Sequence, residues 1–458
     1  MDDTLHRTVT RLTQLSIPRA LAALALPIVL ANTLLTAHQL VNTFWVGRLG
    51  APAVAAVSVS FPVIFLLVSV GGGLSVAGSI LIAQYAGARD SRSVNHVSAQ
   101  TMLMVVAVSA LFSALGYPLA GPLLHAMGIG ADIFEESTRY LQVSFLGIVF
   151  MFAFETSQSI LRGVGEVKIP LYVIAFSVVL NLILDPLFIF GLGPVPAGGV
   201  VGAAYATLVT QGLAAAVGLA VLLRNRYGVQ LRRLDFVPDI PLMRRVFRLG
   251  LPASVEQSMG SLGLTVTTAM VSAFGTTAIA AYGIGFRVLI VVIIPALGIS
   301  MATSTLVGQY IGAGNLPRAK ETAKVSAWYS FWLLTGAAVI VFAGAEAIVR
   351  FFVPHDAVLI HEGATVVRFM AVSFGFIGAE LSLIGALQGA GDTLVPMILT
   401  IISAWVIQIP LAYLLAYHTS LGETGLWYSF PVSAVVTTFL AMLRFKTQRW
   451  QSVALTGA

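Results

Sequence analysis

The 458-residue chain has no cysteine. Disulfide frameworks and thiolate metal sites are therefore excluded, and cysteine usage says nothing about redox compartment. Charge is nearly as scarce: 10% of residues are Asp, Glu, Lys or Arg, against about a quarter in a soluble domain. The stretches 20–47, 93–131, 186–223, 288–317 and 393–422 contain no such residue, and each exceeds the roughly 20 residues that cross a bilayer as a helix. An integral membrane protein follows, and secreted, cytosolic and nucleic-acid-binding classes are excluded. The apolar runs are continuous and do not alternate over the roughly 9–11 residues of a barrel strand, so the spans are helical. Enzyme signatures are missing too. Gly71-Gly72-Gly73 lacks the Gly-Lys-Ser/Thr that a phosphate loop requires, and no His/Glu set has metalloprotease spacing. The triple glycine reads as close helix packing, and no enzyme activity is expected.

What is present is an all-α pattern of twelve transmembrane helices, near 20–46, 53–78, 95–118, 138–160, 169–191, 200–223, 246–272, 279–304, 322–344, 365–387, 395–417 and 424–444. Arg7, Arg11 and Arg19 precede the first span without a small-residue cleavage site, which reads as an anchored helix and not a removed signal peptide. With the N-terminus inside, 20 of the 25 Lys and Arg residues fall in alternate loops on the inner side, Arg226 and Arg449 among them. That bias predicts cytoplasmic N- and C-termini. The net charge of +6 is then a topology signal and implies no polyanion partner.

The chain also repeats itself. At an offset of 225, Leu26-Pro27 aligns with Leu251-Pro252, Gly50-Ala51 with Gly275-Thr276, and Gln84-Tyr85-Ala86-Gly87-Ala88 with Gln309-Tyr310-Ile311-Gly312-Ala313. At 226, Leu161-Arg162-Gly163-Val164-Gly165 aligns with Leu387-Gln388-Gly389-Ala390-Gly391. The reading is an N-lobe over 1–224, a linker over 225–245 and a C-lobe over 246–458. Six is even, so the two six-helix repeats are parallel, and substrate sites in such folds lie between the halves near the midplane.

Carboxylates within apolar spans cost roughly 2.5–3.5 kcal/mol each at helix centre and are functional candidates by default. Asp185 follows Asn181 by four residues, on one helix face, and precedes Pro186. A carboxylate, an amide oxygen and a carbonyl freed by the proline suit Na+, or a carboxyl that takes up a proton to escape the apolar span. The alternative is a cap on a broken helix. Asn42, late in the first span, falls at a similar depth and could join Asp185 or serve as helix–helix glue. Glu256 lies some ten residues into span seven, about 15 Å deep at 1.5 Å per residue, and Glu380 is similarly deep in span ten. They suit substrate or a C-lobe cation, or an internal ion pair with Arg287. Glu155 sits near the inner end of its helix, where it could reach the interface. His38 could relay protons or simply pack.

Together the parallel repeat, the segment from Val41 to Gly50 (VNTFWVGRLG), the Gln84–Ala88 and Leu161–Gly165 motifs, and Asn181 to Gly191 (NLILDPLFIFG) resemble the multidrug and toxic compound extrusion (MATE) family over essentially the whole chain. The resemblance implies a V-shaped, two-lobe secondary transporter in the plasma (inner) membrane. It implies a monomer that exports small organic cations or drugs in exchange for H+ or Na+, with no cofactor beyond that coupling ion. It also implies an N-lobe cation site at Asn42, Asn181, Asp185 and Thr207, with Asp185 and Asn181 as the ligands if the coupling ion is Na+. One departure stands out: Asn42 occupies the place of the family's helix-one Asp, so two carboxylates cannot share a proton there. Two rivals remain, a flippase for a lipid-linked saccharide, which would call for Lys and Arg in the spans, and a non-transporting receptor or scaffold, which would not tolerate buried carboxylates.

Overall fold

The computed structural model describes residues 3–191, 196–224, 227–447 and 450, so Arg226 and Arg449 lie outside the described residues. Their regular structure is helical, with no strand among the described residues. The helices are α1 (Asp3–Gln14), α2 (Ile17–Gly47), α3 (Ala51–Gly87), α4 (Ser91–Ala126), α5 (Ala131–Gly163), α6 (Lys168–Phe190), α7 (Gly199–Leu223) and α8 (Ile240–Ser272). They continue with α9 (Thr276–Gly312), α10 (Leu316–Ala343), α11 (Ala345–Phe352), α12 (Ala357–Gly389), α13 (Leu394–Ile401), α14 (Ile409–Tyr417) and α15 (Glu423–Lys446). Between α13 and α14 the chain is π-helical over Ile402–Gln408, so these three segments form one span.

Among the described residues, eleven spans are long and apolar enough to cross a bilayer. The twelfth is α8, whose apolar character is diluted by Arg244, Arg245, Arg248 and Glu256. Several helices outrun the sequence-predicted bounds: α3 and α9 have 37 residues each, about 55 Å at 1.5 Å per residue, well beyond a hydrocarbon core of about 30 Å. Two helices were not foreseen. The amphipathic α1 buries Leu5, Val9 and Leu12, and the short α11 anchors to α12 through an ion pair of Glu346 with Arg368 at 3.0 Å.

The repeat is visible in backbone conformation. Gly50 and Gly275, paired at offset 225, open α3 and α9 with φ of 102° and 105°, a region closed to most side chains.

By packing, the chain forms two units, Met1–Leu12 with Leu30–Ser254, and Thr13–Val29 with Val255–Ala458. These follow the repeat division except for an exchange of half-helices. The switch in α2 comes after Val29 and the switch in α8 after Ser254, again 225 apart and just beyond Pro27 and Pro252. In the first unit, the leading half of α8 crosses α3 at Gly73, where Ser254 donates its hydroxyl to the Val70 carbonyl at 3.1 Å. In the second, the leading half of α2 crosses α9 at Gly298, the repeat partner of Gly73.

Both crossings depend on the missing side chain. A Cβ at Gly73 would collide with the Ser254 amide nitrogen and lie 2.7 Å from the Gly250 carbonyl oxygen. At Gly298 the collision would be with a methyl of Val29, which can rotate, and the backbone oxygen of Ala25 would lie 3.2 Å away. We therefore expect Gly73→Ala to destabilise by about 1–3 kcal/mol, as overpacking does, and Gly298→Ala by less. Thermal unfolding of the two purified variants checks the order.

The linker before α8 is clamped to the start of α4. Gln100 donates to the carbonyls of Asp235 and Val237, each at 2.7 Å, and accepts from the Asp239 amide at 3.0 Å. Asn95 accepts from the Gln230 amide at 2.7 Å. Asp239 caps α8 by accepting from the Leu242 amide and contacts His96 Nε2 at 3.0 Å. The His96 contact, and after it the Leu242 amide, hold the Asp239 carboxyl below its ordinary range. A depressed acid contributes stability that is complete above its unfolded value, about 4, and is lost as pH falls through the lower folded value. Protection of the Leu242 and Met243 amides, measured as exchange relative to the unstructured rate at the same pH, should fall on acidification below pH 4, and already at neutral pH in Asp239→Asn. Unchanged protection in both would remove this clamp.

Candidate functional site

In the first unit, α6 carries Asn181 and Asp185 one turn apart, 1% and 0% exposed. The helix is not broken at Pro186 and continues to Phe190. Its end is met by α7: the Gly198 amide donates to the Phe188 carbonyl at 2.9 Å, and a Cβ at Gly202 would lie 2.6 Å from the Phe188 carbonyl carbon. This close approach sets the rotation of α7 so that Thr210 faces α6. Asn181 Nδ2 donates to Thr210 Oγ1 at 3.4 Å, and that hydroxyl donates to the Ala206 carbonyl at 2.8 Å. Thr207, one turn earlier and partly buried, is not the hydroxyl that Asn181 reaches.

Three oxygens of this site stand without a hydrogen-bond partner while fully buried: Asn181 Oδ1 and both carboxylate oxygens of Asp185. Buried acceptors are nearly always satisfied in native proteins. Three of them, one turn apart, form a set suited to accept a proton or a small hard cation. Tyr140 of α5 comes near enough to feel the Asp185 charge. Asn42 of α2 is partly buried, one turn before Val46, which packs with Ile189 of α6 and Ala203 of α7. Since Ile189 is one turn beyond Asp185, Asn42 and Asp185 lie at the same level of the unit.

The second unit has its own acidic site. Glu256 of α8 accepts from Gln388 Nε2 of α12 at 3.1 Å, and its charge acts on Glu380, two turns back on α12. Both carboxylates are partly buried. Arg287 is exposed and forms no ion pair with either among the described residues. The repeat partner of Gln388 is Arg162, whose charge acts on Glu155 of the same helix. Where the first unit offsets its helix-five acid with a guanidinium, the second offers an amide and leaves two acids uncompensated. Thr210, Tyr140 and Gln388 are the neighbours that sequence reasoning missed. Gln388 had a signal in the repeat alignment, opposite Arg162. His38 is partly buried. No group of three or more His, Asp or Glu that could hold a metal occurs among the described residues.

Fold and sites define a multi-pass, two-repeat helical membrane protein with an acidic site buried in each unit. The MatE family model matches residues 27–187 and 252–414, and the chain belongs to that family. It is 29% identical over 431 residues to the probable multidrug resistance protein YoeA of Bacillus subtilis, covering 93% of this chain and 92% of that one. It is 30% identical to the probable multidrug resistance protein NorM of Deinococcus radiodurans, covering 93% and 94%. Among solved structures, a MATE family multidrug resistance transporter in an outward-facing conformation superposes with a TM-score of 0.89 at 24% identity, covering 99% of both chains.

Proposed function

We propose that this protein is a secondary active multidrug exporter that exchanges cationic amphipathic compounds for H+ or Na+ by alternating access. The observation that carries the reading is the trio of unpartnered oxygens on Asn181 and Asp185, buried in an apolar span as a set of acceptors that suits a proton or a cation. Asp185, Asn181 and Asn42 load the coupling ion, with Thr210 rather than Thr207 fixing the Asn181 amide. Glu256 and Glu380 attract the organic cation, or a further coupling ion. The segments 1–224 and 246–458 act as lobes joined by the linker 225–245. The protein works as a monomer in the inner membrane with both termini in the cytoplasm, as the distribution of Lys and Arg supports. The relatives named as multidrug resistance proteins support the substrate class. A flippase for a lipid-linked saccharide would need basic side chains in its spans to hold a pyrophosphate, whereas the candidate charged groups deep in the spans are the carboxylates Asp185, Glu256 and Glu380.

The test is transport of a fluorescent organic cation by purified protein in proteoliposomes, with a proton gradient and then a Na+ gradient imposed alone. Movement against the dye gradient under either one is expected, and it names the ion. Absence of movement under both overturns the proposal.

A further inference from the structure

The second unit carries a groove of about 480 Å³ between α10, α12 and α15. Its walls are stripes at helical spacing: Lys324, Trp328 and Phe331 on α10, Phe376 on α12, and Phe445 and Lys446 on α15. The floor is deep because it is made of small or buried groups, Ala327 and Ala379 among them, 9% and 1% exposed. Phe331 and Phe376 close one end edge-to-face, their rings 5.5 Å apart. Both charges lie at the other end, and from Lys324 to Phe331 the apolar trough runs about 10 Å at 1.5 Å per residue.

The surroundings say what such a trough faces. Beyond the groove α10 exposes Tyr329, Trp332, Leu333, Val339, Ile340 and Phe342, a face that belongs in hydrocarbon. Trp328, one turn inside Lys324, sits where aromatic side chains mark the membrane interface. The neighbouring arginines are engaged: Arg444 with Asp392 at 2.9 Å, and Arg318 with the backbone carbonyls of Thr13 and Leu15. Lys324 and Lys446 are exposed and form no ion pair among the described residues, although Glu321 lies one turn from Lys324. Two free ammonium groups at the mouth of an acyl-sized trough are complementary to one phosphodiester with its chain. Trp450 keeps the mouth in place by stacking on Phe445, 5.1 Å between rings, and donating to the Phe445 carbonyl at 3.1 Å.

We propose that this groove binds an anionic glycerophospholipid of the leaflet on the basic side, its phosphate between Lys324 and Lys446 and one acyl chain along Trp328, Phe331 and Phe376. The reading does not depend on what the protein transports.

The experiment uses the full chain in phosphatidylcholine nanodiscs doped with brominated phosphatidylglycerol or brominated phosphatidylcholine. The Trp328 contribution to fluorescence is isolated by difference against Trp328→Phe. Brominated phosphatidylglycerol should quench that component at a mole fraction about tenfold lower than brominated phosphatidylcholine, the order expected for two lysines near a membrane surface. The double variant Lys324→Gln/Lys446→Gln should lose the preference and keep the phosphatidylcholine quenching. The double Lys→Arg variant should retain it. Equal quenching by the two lipids in the unmodified protein, or a preference that survives in the double Gln variant, overturns the proposal.

Discussion

Asp185→Asn is expected to reduce gradient-driven export to the level of empty vesicles while leaving the protein as stable as before, or more so. The structure supplies the reason for both halves of that result. Neither carboxylate oxygen accepts a hydrogen bond, so the substitution breaks no bond that holds α6 in place. It removes only the buried charge and the capacity to exchange it for a proton or to pair it with a cation. Removing an uncompensated buried charge is neutral or stabilising. A purely structural Asp185 would give the opposite pair of outcomes: a lower Tm, because an anchoring contact is lost, and export that continues in whatever protein folds. Measuring Tm and dye export on one preparation separates the two. Export that persists at full rate would falsify the coupling role.

The second large effect is expected at Glu256 and Glu380. With each changed singly to Gln, affinity for an organic cation should fall by about tenfold, since a hydrogen bond or contact to a charged group is worth about 1.5–3 kcal/mol and 1.4 kcal/mol is one decade. The Glu256 charge acts on Glu380, so the two losses should not be independent. If both face one bound cation, the double variant falls short of the product of the single effects, because neighbouring groups couple. Multiplicative losses would place the two glutamates at separate sites, and unchanged affinity in both single variants would remove them from substrate binding. Gln388→Leu is the complementary variant. It withdraws the one side-chain donor to Glu256 among the described residues without altering the charge of the site.

The features legible in the sequence were those that a single helix reveals by itself. Buried acids stand out against apolar spans because their cost is local, which is how Asp185, Glu256 and Glu380 could be picked from nineteen acids. The repeat was legible from Gly and Pro punctuation, and Gly50 and Gly275 repeat in backbone angle as well as identity. What could not be read were rotations and neighbours. Choosing between Thr207 and Thr210 requires the phase of α7 against α6, and that phase is set by Gly198 and Gly202 pressing on the Phe188 carbonyl. Hydropathy does not contain it. Gln388 carried no charge to draw attention, although its alignment with Arg162 marked a difference between the halves. The helix α1 was overlooked because its polar residues hide a three-residue buried stripe of Leu5, Val9 and Leu12. Leu26-Pro27 and Leu251-Pro252 were seen as matching pairs, but a proline in a helix does not say which bundle the preceding half joins.

That exchange of half-helices bears on how the chain is made. A ribosome releases residues in order, and the first unit is not complete when its own six spans have emerged. It still lacks Ile240–Ser254, the segment that fills the crossing at Gly73. Meanwhile Thr13–Val29, among the earliest residues synthesised, has no permanent neighbours until α9 and Gly298 arrive some 270 residues later. Insertion must therefore carry an unfinished bundle through most of translation, and a gene cut within the linker at 225–245 would yield two fragments, each holding a piece of the other's interior.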